Sequence, residues 1–469
     1  MSSGAEPAAI IIGGGITGLV CATRLRQAGI DALCLECSNR PGGVLCTRRV
    51  DGFLLEAGPN TVQETADLSD LVREVGLGAE ILRAPPELPR FVYRRGSLHP
   101  LPTGVVAALR TPLVSARAKW RLFAELAIPR RADANDESVE AFVRRRFGAE
   151  VVDALVVPFI SGTFAGDPAK LSARAVLPLL VAMEDRHGSV LRGMLARGLR
   201  RRGHGNEQRR TLMSLRDGLE SLPARLAARL GEAMRFGSEA QAISRDPVDG
   251  RFKVEVRDAA GRRLLAARAV VVACSPGRAA PLLEALMPAT SRTLAKITTA
   301  PLVVVSLAWP RADVSHSLRG VGFLVSGKER IRTLGCLWNS SIFPGRAPAG
   351  QASFTAFLGG ARDPQAASLS DGALVELVTS ELAEILGARG RPRVLTIERH
   401  PRALPQYGLG HAGRVAQARA AVGAVPGLFL AGNYLNGVSV GECVRQGARA
   451  ASDVCEMLRE TVDFSSRSV

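Results

Sequence analysis

Three consecutive glycines after an unbroken apolar run constrain this chain more than any other feature. Residues 8–12 (AAIII) form the short continuous apolar stretch expected of a strand buried on both faces of a parallel sheet. The run enters Gly13-Gly14-Gly15-Ile16-Thr17-Gly18, a G-x-G-x-x-G turn, and residues 19–28 continue with helical periodicity until Gly29. Residues 31–36 read as a second strand ending on Glu36. In this strand–turn–helix–strand order the glycines form a dinucleotide fingerprint. Gly13 permits the tight turn, Gly15 lets a pyrophosphate approach the backbone, and Gly18 lets helix and strand pack closely. Amides at the helix start favour phosphate. Glu36 is placed to accept hydrogen bonds from ribose hydroxyls, and its charge disfavours a 2′-phosphate, which argues against NADP. Cys34 and Cys37 lie inside this unit on opposite faces of a strand, so their spacing is coincidental.

Further glycine-rich segments extend the site. Arg40-Pro41-Gly42-Gly43-Val44 follows the acid, and Gly58-Pro59-Asn60-Thr61 comes soon after. Near the other end, an apolar run at 428–430 leads into Ala431-Gly432-Asn433. Val438, Ser439 and Val440 then open a helix through Gly447 to Leu458, a start suited to a flavin or its ribityl-phosphate chain. Glycine turns at opposite ends imply a chain that leaves the nucleotide fold and returns. That suits a long buried cofactor, FAD rather than NAD.

At 469 residues, two or three domains are expected. The formal net charge is +17, and only five of the 61 basic residues are lysines, a skew that GC-rich coding explains at least as well as function. A basic surface suits an anionic substrate or anionic lipid. Aromatics at 4% leave little for base stacking, so nucleic acid is disfavoured. Eight scattered cysteines without a secretory leader suggest reduced thiols in the cytoplasm. No apolar run reaches about 18 residues, so a membrane span is not expected. Six histidines lack metal-ligand spacing.

The prolines at 85, 86 and 89 mark an exit from the first unit. Residues 91–98 read as strand and turn, 111–194 as mostly helical, and 192–210 as an Arg/Gly-rich surface segment. A helix is expected over 212–230. Strands are expected at 270–273, 301–309, 320–325 and 353–358, with a helix at 373–386.

Four stretches carry a resemblance: "RFVYRRGSLHPLPTG" (90–104), "FISGTFAGDPAKLS" (159–172), "LPQYGLGH" (404–411) and "GVSVGECVRQG" (437–447). In content and order, over almost the whole length, the chain resembles the protoporphyrinogen oxidases of haem biosynthesis, within the amine-oxidase-like flavoproteins. It departs from the pattern at Val44 and at Gly441-Glu442, and only Ala240 stands where an apolar residue beside the adenine is expected. The resemblance implies an α/β architecture with three parts. These are a discontinuous Rossmann-like FAD-binding domain (1–88, 212–294, 395–469), an α+β substrate-binding domain (89–110, 295–394) and a helical membrane-associating domain (111–211). It implies oxidation of a porphyrinogen by FAD in three two-electron rounds, with oxygen as acceptor and no catalytic side chain beyond the flavin. Arg90 would bind a propionate, Leu324 and Phe357 would flank the tetrapyrrole, and the Gly162 backbone would lie close to a ring. Coproporphyrinogen is the competing substrate. An amine oxidase would need an aromatic cage, hard to build from three Tyr and three Trp. A homodimer and peripheral attachment to the cytoplasmic membrane stay open. A non-enzymatic basic binding protein would purify colourless.

Overall fold

The computed structural model describes residues 6–102, 107, 110–131, 135–201 and 211–466. A five-stranded parallel sheet organises the nucleotide fold, in the order Met234–Arg235, Ala32–Leu35, Ala9–Ile12, Ala269–Val272, Leu428–Leu430. The two faces of Ala9–Ile12 enter different cores, Ala9 and Ile11 one, Ile10 and Ile12 the other, and none is more than 6% exposed. This is why the sequence there is apolar without alternation. Helices Ile16–Gln27 and Val440–Ser466 cover the first face, so the two ends of the polypeptide lie against each other. An antiparallel sheet (Glu239–Arg245, Phe252–Asp258, Gly261–Ala267) and helices Pro276–Leu282 and His411–Gly423 cover the second.

A seven-stranded sheet forms the second layer, in the order Arg393–Pro405, Thr299–Pro310, Gln351–Gly359, Gly335–Trp338, Gly322–Val325, Arg90–Arg94, Ser97–Pro100. One face packs on helix Asp371–Leu386 through Val303, Val305, Phe323, Cys336 and Ala356. The third part is helical: Ala116–Ala124, Val139–Phe147, a continuous stretch over 149–164 containing a π-turn at Val152–Val156, then Pro178–His187 and Val190–Arg201. Ser115 and Ser138 cap two of these helices by accepting the Ala118 and Ala141 amides.

Two sequence expectations need correction. Residues 212–230 are not one helix. Leu212–Leu215 is a strand between Val62–Gln63 and Ile81–Arg83, and helix Ser221–Leu230 follows. Gly218 separates them: its φ is +94°, and a Cβ there would lie 2.3 Å from the Thr47 side chain. The return to the nucleotide fold also comes later than residue 395, because strand Arg393–Pro405 pairs with Thr299–Pro310 up to Pro405. The Arg/Gly-rich segment begins as helix Val190–Arg201, and its remainder, 202–210, lies outside the described residues.

Candidate functional site

Steric limits define the nucleotide end. A Cβ on Gly18 would stand 1.9 Å from the Gly13 carbonyl oxygen, and one on Gly58 2.1 Å from that of Val44. At Gly14 it would meet Met234 and Glu36 within 2.8 Å. Gly15 is different: nothing lies within 4 Å of its Cβ position, at the N-cap of helix Ile16–Gln27. This open space at a helix N-terminus is the cradle a pyrophosphate needs. The Gly42 amide donates to the Gly14 carbonyl at 2.8 Å, and Gly43 lies over Gly15. The Arg40 guanidinium donates to the carbonyls of Pro41, Gly43 and Leu45 at 3.2, 2.6 and 3.2 Å, so it shapes its own loop. Glu36 sits just past its strand, nearly buried, accepting the amides of Gly14 at 2.7 Å and Ser38 at 2.9 Å. The Ser238 amide donates to the Glu36 carbonyl at 2.9 Å, which brings Ala240, half-buried opposite Val256, to the same end. Pro59 and Thr61 are half-buried, while the Asn60 amide folds back on the Gly58 carbonyl at 3.1 Å.

The C-terminal turn closes over this unit. A Cβ on Gly447 would stand 2.4 Å from the Thr17 carbonyl oxygen, so the last helix touches the first at backbone distance. Gly432 holds a φ of +142° and donates its amide to Gln446 Oε1 at 3.3 Å. Ser439 Oγ accepts the Glu442 amide at 3.2 Å and opens helix Val440–Ser466. Val438 leans on the helical region and Val440 on the nucleotide core. The departure at Gly441 has a local cause, because a Cβ there would lie 2.9 Å from Thr65 Oγ1. Val44 is 47% exposed.

The four residues proposed for the substrate also come together. Register pairs Arg90 with Gly322, Val92 with Leu324, Leu324 with Gly335, and Gly335 with Phe357. Residues in register share a face, so Arg90, Leu324 and Phe357 lie on the face turned away from helix Asp371–Leu386. Leu324 and Phe357, both half-buried, stand two strands apart, about 10 Å, with Gly335 between them. Helix Val157–Phe164 lies over this surface, with Leu324 Cδ2 2.7 Å from where a Cβ on Gly162 would be. Arg90 has no carboxylate within 4.0 Å among the described residues. Solvent reaches it, yet surrounding protein crowds it enough to pull its pKa below the usual guanidinium value.

Two buried titratable groups flank the site. Glu56 accepts the Leu219 amide at 2.9 Å and the Thr47 hydroxyl at 2.8 Å, and burial pushes its carboxyl up to about 7. Burial lowers His411 to about 4. All eight cysteines are free, and burial pushes the thiols of Cys21, Cys34 and Cys336 up. No cluster of metal-ligating side chains occurs among the described residues. Sequence reasoning passed over Gly335, which no motif marks. It also passed over Tyr407 and Gln446, which lie in quoted motifs but touch the cofactor turn only through the fold.

The chain matches the flavin containing amine oxidoreductase family over residues 16–455. It is 32% identical over 479 residues to a chloroplastic protoporphyrinogen oxidase 1 of Spinacia oleracea, covering 97% of this chain and 85% of that one. It is 29% identical over 470 residues to a coproporphyrinogen III oxidase of Bacillus subtilis (strain 168), covering 96% and 98%. A crystal structure from Exiguobacterium sp. 255-15 superposes with a TM-score of 0.79 at 29% identity, covering 98% and 100%. The chain therefore belongs to the flavin containing amine oxidoreductases, and its cofactor is FAD. Within them it falls among the protoporphyrinogen oxidases.

Proposed function

We propose that the protein oxidises protoporphyrinogen IX to protoporphyrin IX in three successive two-electron rounds, with molecular oxygen as acceptor. One observation carries the substrate reading. A guanidinium without an ion-pair partner among the described residues, two half-buried apolar side chains and a helix glycine meet at a single surface, in a chain whose fold takes FAD. When bound, FAD supplies the acceptor for the hydride leaving a methylene bridge. Gly13–Gly18, Glu36, Arg40, Gly42–Val44, Gly58–Thr61, Ala240, Gly432 and Val438–Val440 would hold it, Arg40 through the loop it shapes.

The chain's part is binding and orientation. Arg90 would grip a propionate through two parallel hydrogen bonds, leaving the apolar rings against Leu324 and Phe357. The bare backbone at Gly162 leaves room for close approach once Leu324 yields. Arg90→Ala should raise KM about tenfold or more, the worth of a hydrogen bond to a charged group, with bound FAD intact. Arg90→Lys should recover only part of this, because an ammonium lacks the fork. Unchanged porphyrinogen kinetics in both variants would remove Arg90 from the site.

Coproporphyrinogen III is the second reading, favoured by the likeness to the Bacillus protein. Paired turnover of both porphyrinogens by purified protein, read by product fluorescence, decides between them. For location, the reading is cytoplasmic with peripheral attachment to the membrane. It is supported by Trp120 and Phe123, 74% and 53% exposed with ring centroids 6.0 Å apart, beside exposed Arg117 and Arg121. No helix among the described residues is long and apolar enough to cross a membrane. Co-sedimentation with anionic vesicles, lost on Trp120→Ser with Phe123→Ser, tests the attachment.

A further inference from the structure

The segment following strand Arg393–Pro405 has side chains that the substrate and cofactor readings leave unused. Gln406 and Tyr407 are 9% and 2% exposed. Gln406 Nε2 donates to the Phe164 carbonyl at 2.9 Å, and to that of Leu404 at 3.1 Å. Phe164 is the last residue of the helix that carries Gly162, and Ala165 turns the chain there with a φ of +46°. The Tyr407 hydroxyl donates to the Asn433 carbonyl, next to Gly432 in the cofactor turn. Its ring meets Phe164 edge-on at 5.6 Å and stacks on His411 at 4.2 Å and 10°. The Tyr407 carbonyl accepts the Ser172 amide at 2.7 Å, fixing the segment from a third side. Gln446 accepts from the Gly432 amide of the same turn at 3.3 Å.

We propose that Gln406 and Tyr407 are positioning residues that set the spacing between the Gly162 wall and the Gly432–Asn433 turn, and so between porphyrinogen and flavin. The inference rests on the function proposed above. Two consecutive side chains of one short segment reach both elements, so neither can shift without straining the other. The Gln406–Phe164 bond is buried and the Tyr407–Asn433 bond partly so, which limits how well water replaces a lost partner. Hydride transfer is sensitive to such spacing, because a 1 Å error costs on the order of a hundredfold in rate. His411 serves as a flat neutral support for the tyrosine ring.

The test uses FAD-loaded Tyr407→Phe and Gln406→Leu, each of which removes hydrogen-bonding groups while keeping the side chain's bulk. In anaerobic stopped-flow, the limiting rate of flavin reduction per bound flavin should fall about tenfold in Tyr407→Phe, a fraction of the 1 Å penalty. The porphyrinogen concentration for half-saturation should stay within about twofold. FAD affinity, measured by fluorescence titration without any substrate, should weaken about fivefold in Tyr407→Phe, the worth of one hydrogen bond. It should hold in Gln406→Leu, whose contact is with the helix. A purely structural role would lower the melting temperature while leaving the reduction rate per bound flavin at the wild-type value, and that result overturns the proposal. If no porphyrinogen reduces the wild-type flavin, the substrate reading falls instead. The FAD titration then still judges Tyr407, with unchanged affinity counting against it.

Discussion

The nucleotide unit and the helical region achieve order by opposite means. At Gly13 and Gly18 the determining contacts are with backbone atoms, of Ala273 and Gly13 respectively, and leave no space for a side chain. The helical region instead buries charge. Arg146 and Glu125 are both 0% exposed, and their side chains pair at 3.2 Å. Arg146 also pairs with Glu184, which Arg145 grips at 2.7 Å. Glu125 accepts the Val190 and Leu191 amides at 2.9 and 3.2 Å, so this buried acid also caps helix Val190–Arg201. A closed steric contact such as that at Gly18 tolerates no added Cβ, whereas an ionic one tolerates only a balanced substitution.

The sharpest test contrasts two glycines three residues apart. Gly18→Ala forces a Cβ into the Gly13 carbonyl and should cost at least about 3 kcal/mol, as severe overpacking does, giving poorly soluble, colourless protein. Gly15→Ala meets no atom within 4 Å and has ordinary β-region dihedrals (φ −69°, ψ 172°). Its apo form should unfold in urea within about 1 kcal/mol of wild type, while flavin absorbance per chain drops severalfold. Equal loss of stability in the two would mean that the space over Gly15 serves packing rather than the cofactor.

In the helical region, Arg146→Met leaves Glu125 and Glu184 buried with less compensation and should cost about 3–5 kcal/mol. The urea midpoint should fall while flavin absorbance per folded chain stays at the wild-type level. Should flavin be lost as well, the two regions are not separable in the way their construction suggests.

The same contrast explains what the sequence revealed. The fingerprint was legible because its steric rules act within six residues, and the far glycine turn because it repeats them. Leu212–Leu215 reads as helix from the sequence although it is a strand, because its apolar residues suit either period. Only its non-local partners, Val62–Gln63 and Ile81–Arg83, decide the matter. Gly335 carried no signal, since its meaning comes from lying in register between Leu324 and Phe357. The Arg146–Glu125–Glu184 group was equally hidden among 61 basic residues, because nothing local marks a charge that will be buried.

The smallest expected effect is one that wild type conceals. Glu56, 4% exposed, has its pKa raised from 4.5 to about 7 by burial, so the unfolded chain holds fewer protons than the native state between those values. Stability from this group is full below about pH 4.5 and declines as the pH rises through 7. His411, 2% exposed, is lowered from 6.5 to about 4, so the unfolded chain holds more protons there. Stability from this group is full above pH 6.5 and is lost as the pH falls through 4. Each is worth about 3 kcal/mol, and the slopes oppose one another over nearly the same window. Wild type should therefore vary by less than about 1 kcal/mol between pH 5 and 6.5, with half-buried His316, also lowered by burial, tilting it slightly upward. Glu56→Gln removes the falling limb, and its stability should climb by about 2 kcal/mol across that range. His411→Phe removes the rising limb, and its stability should fall by a similar amount. Urea titrations at the two pH values check both, and parallel slopes in the two variants would show that these groups do not offset each other.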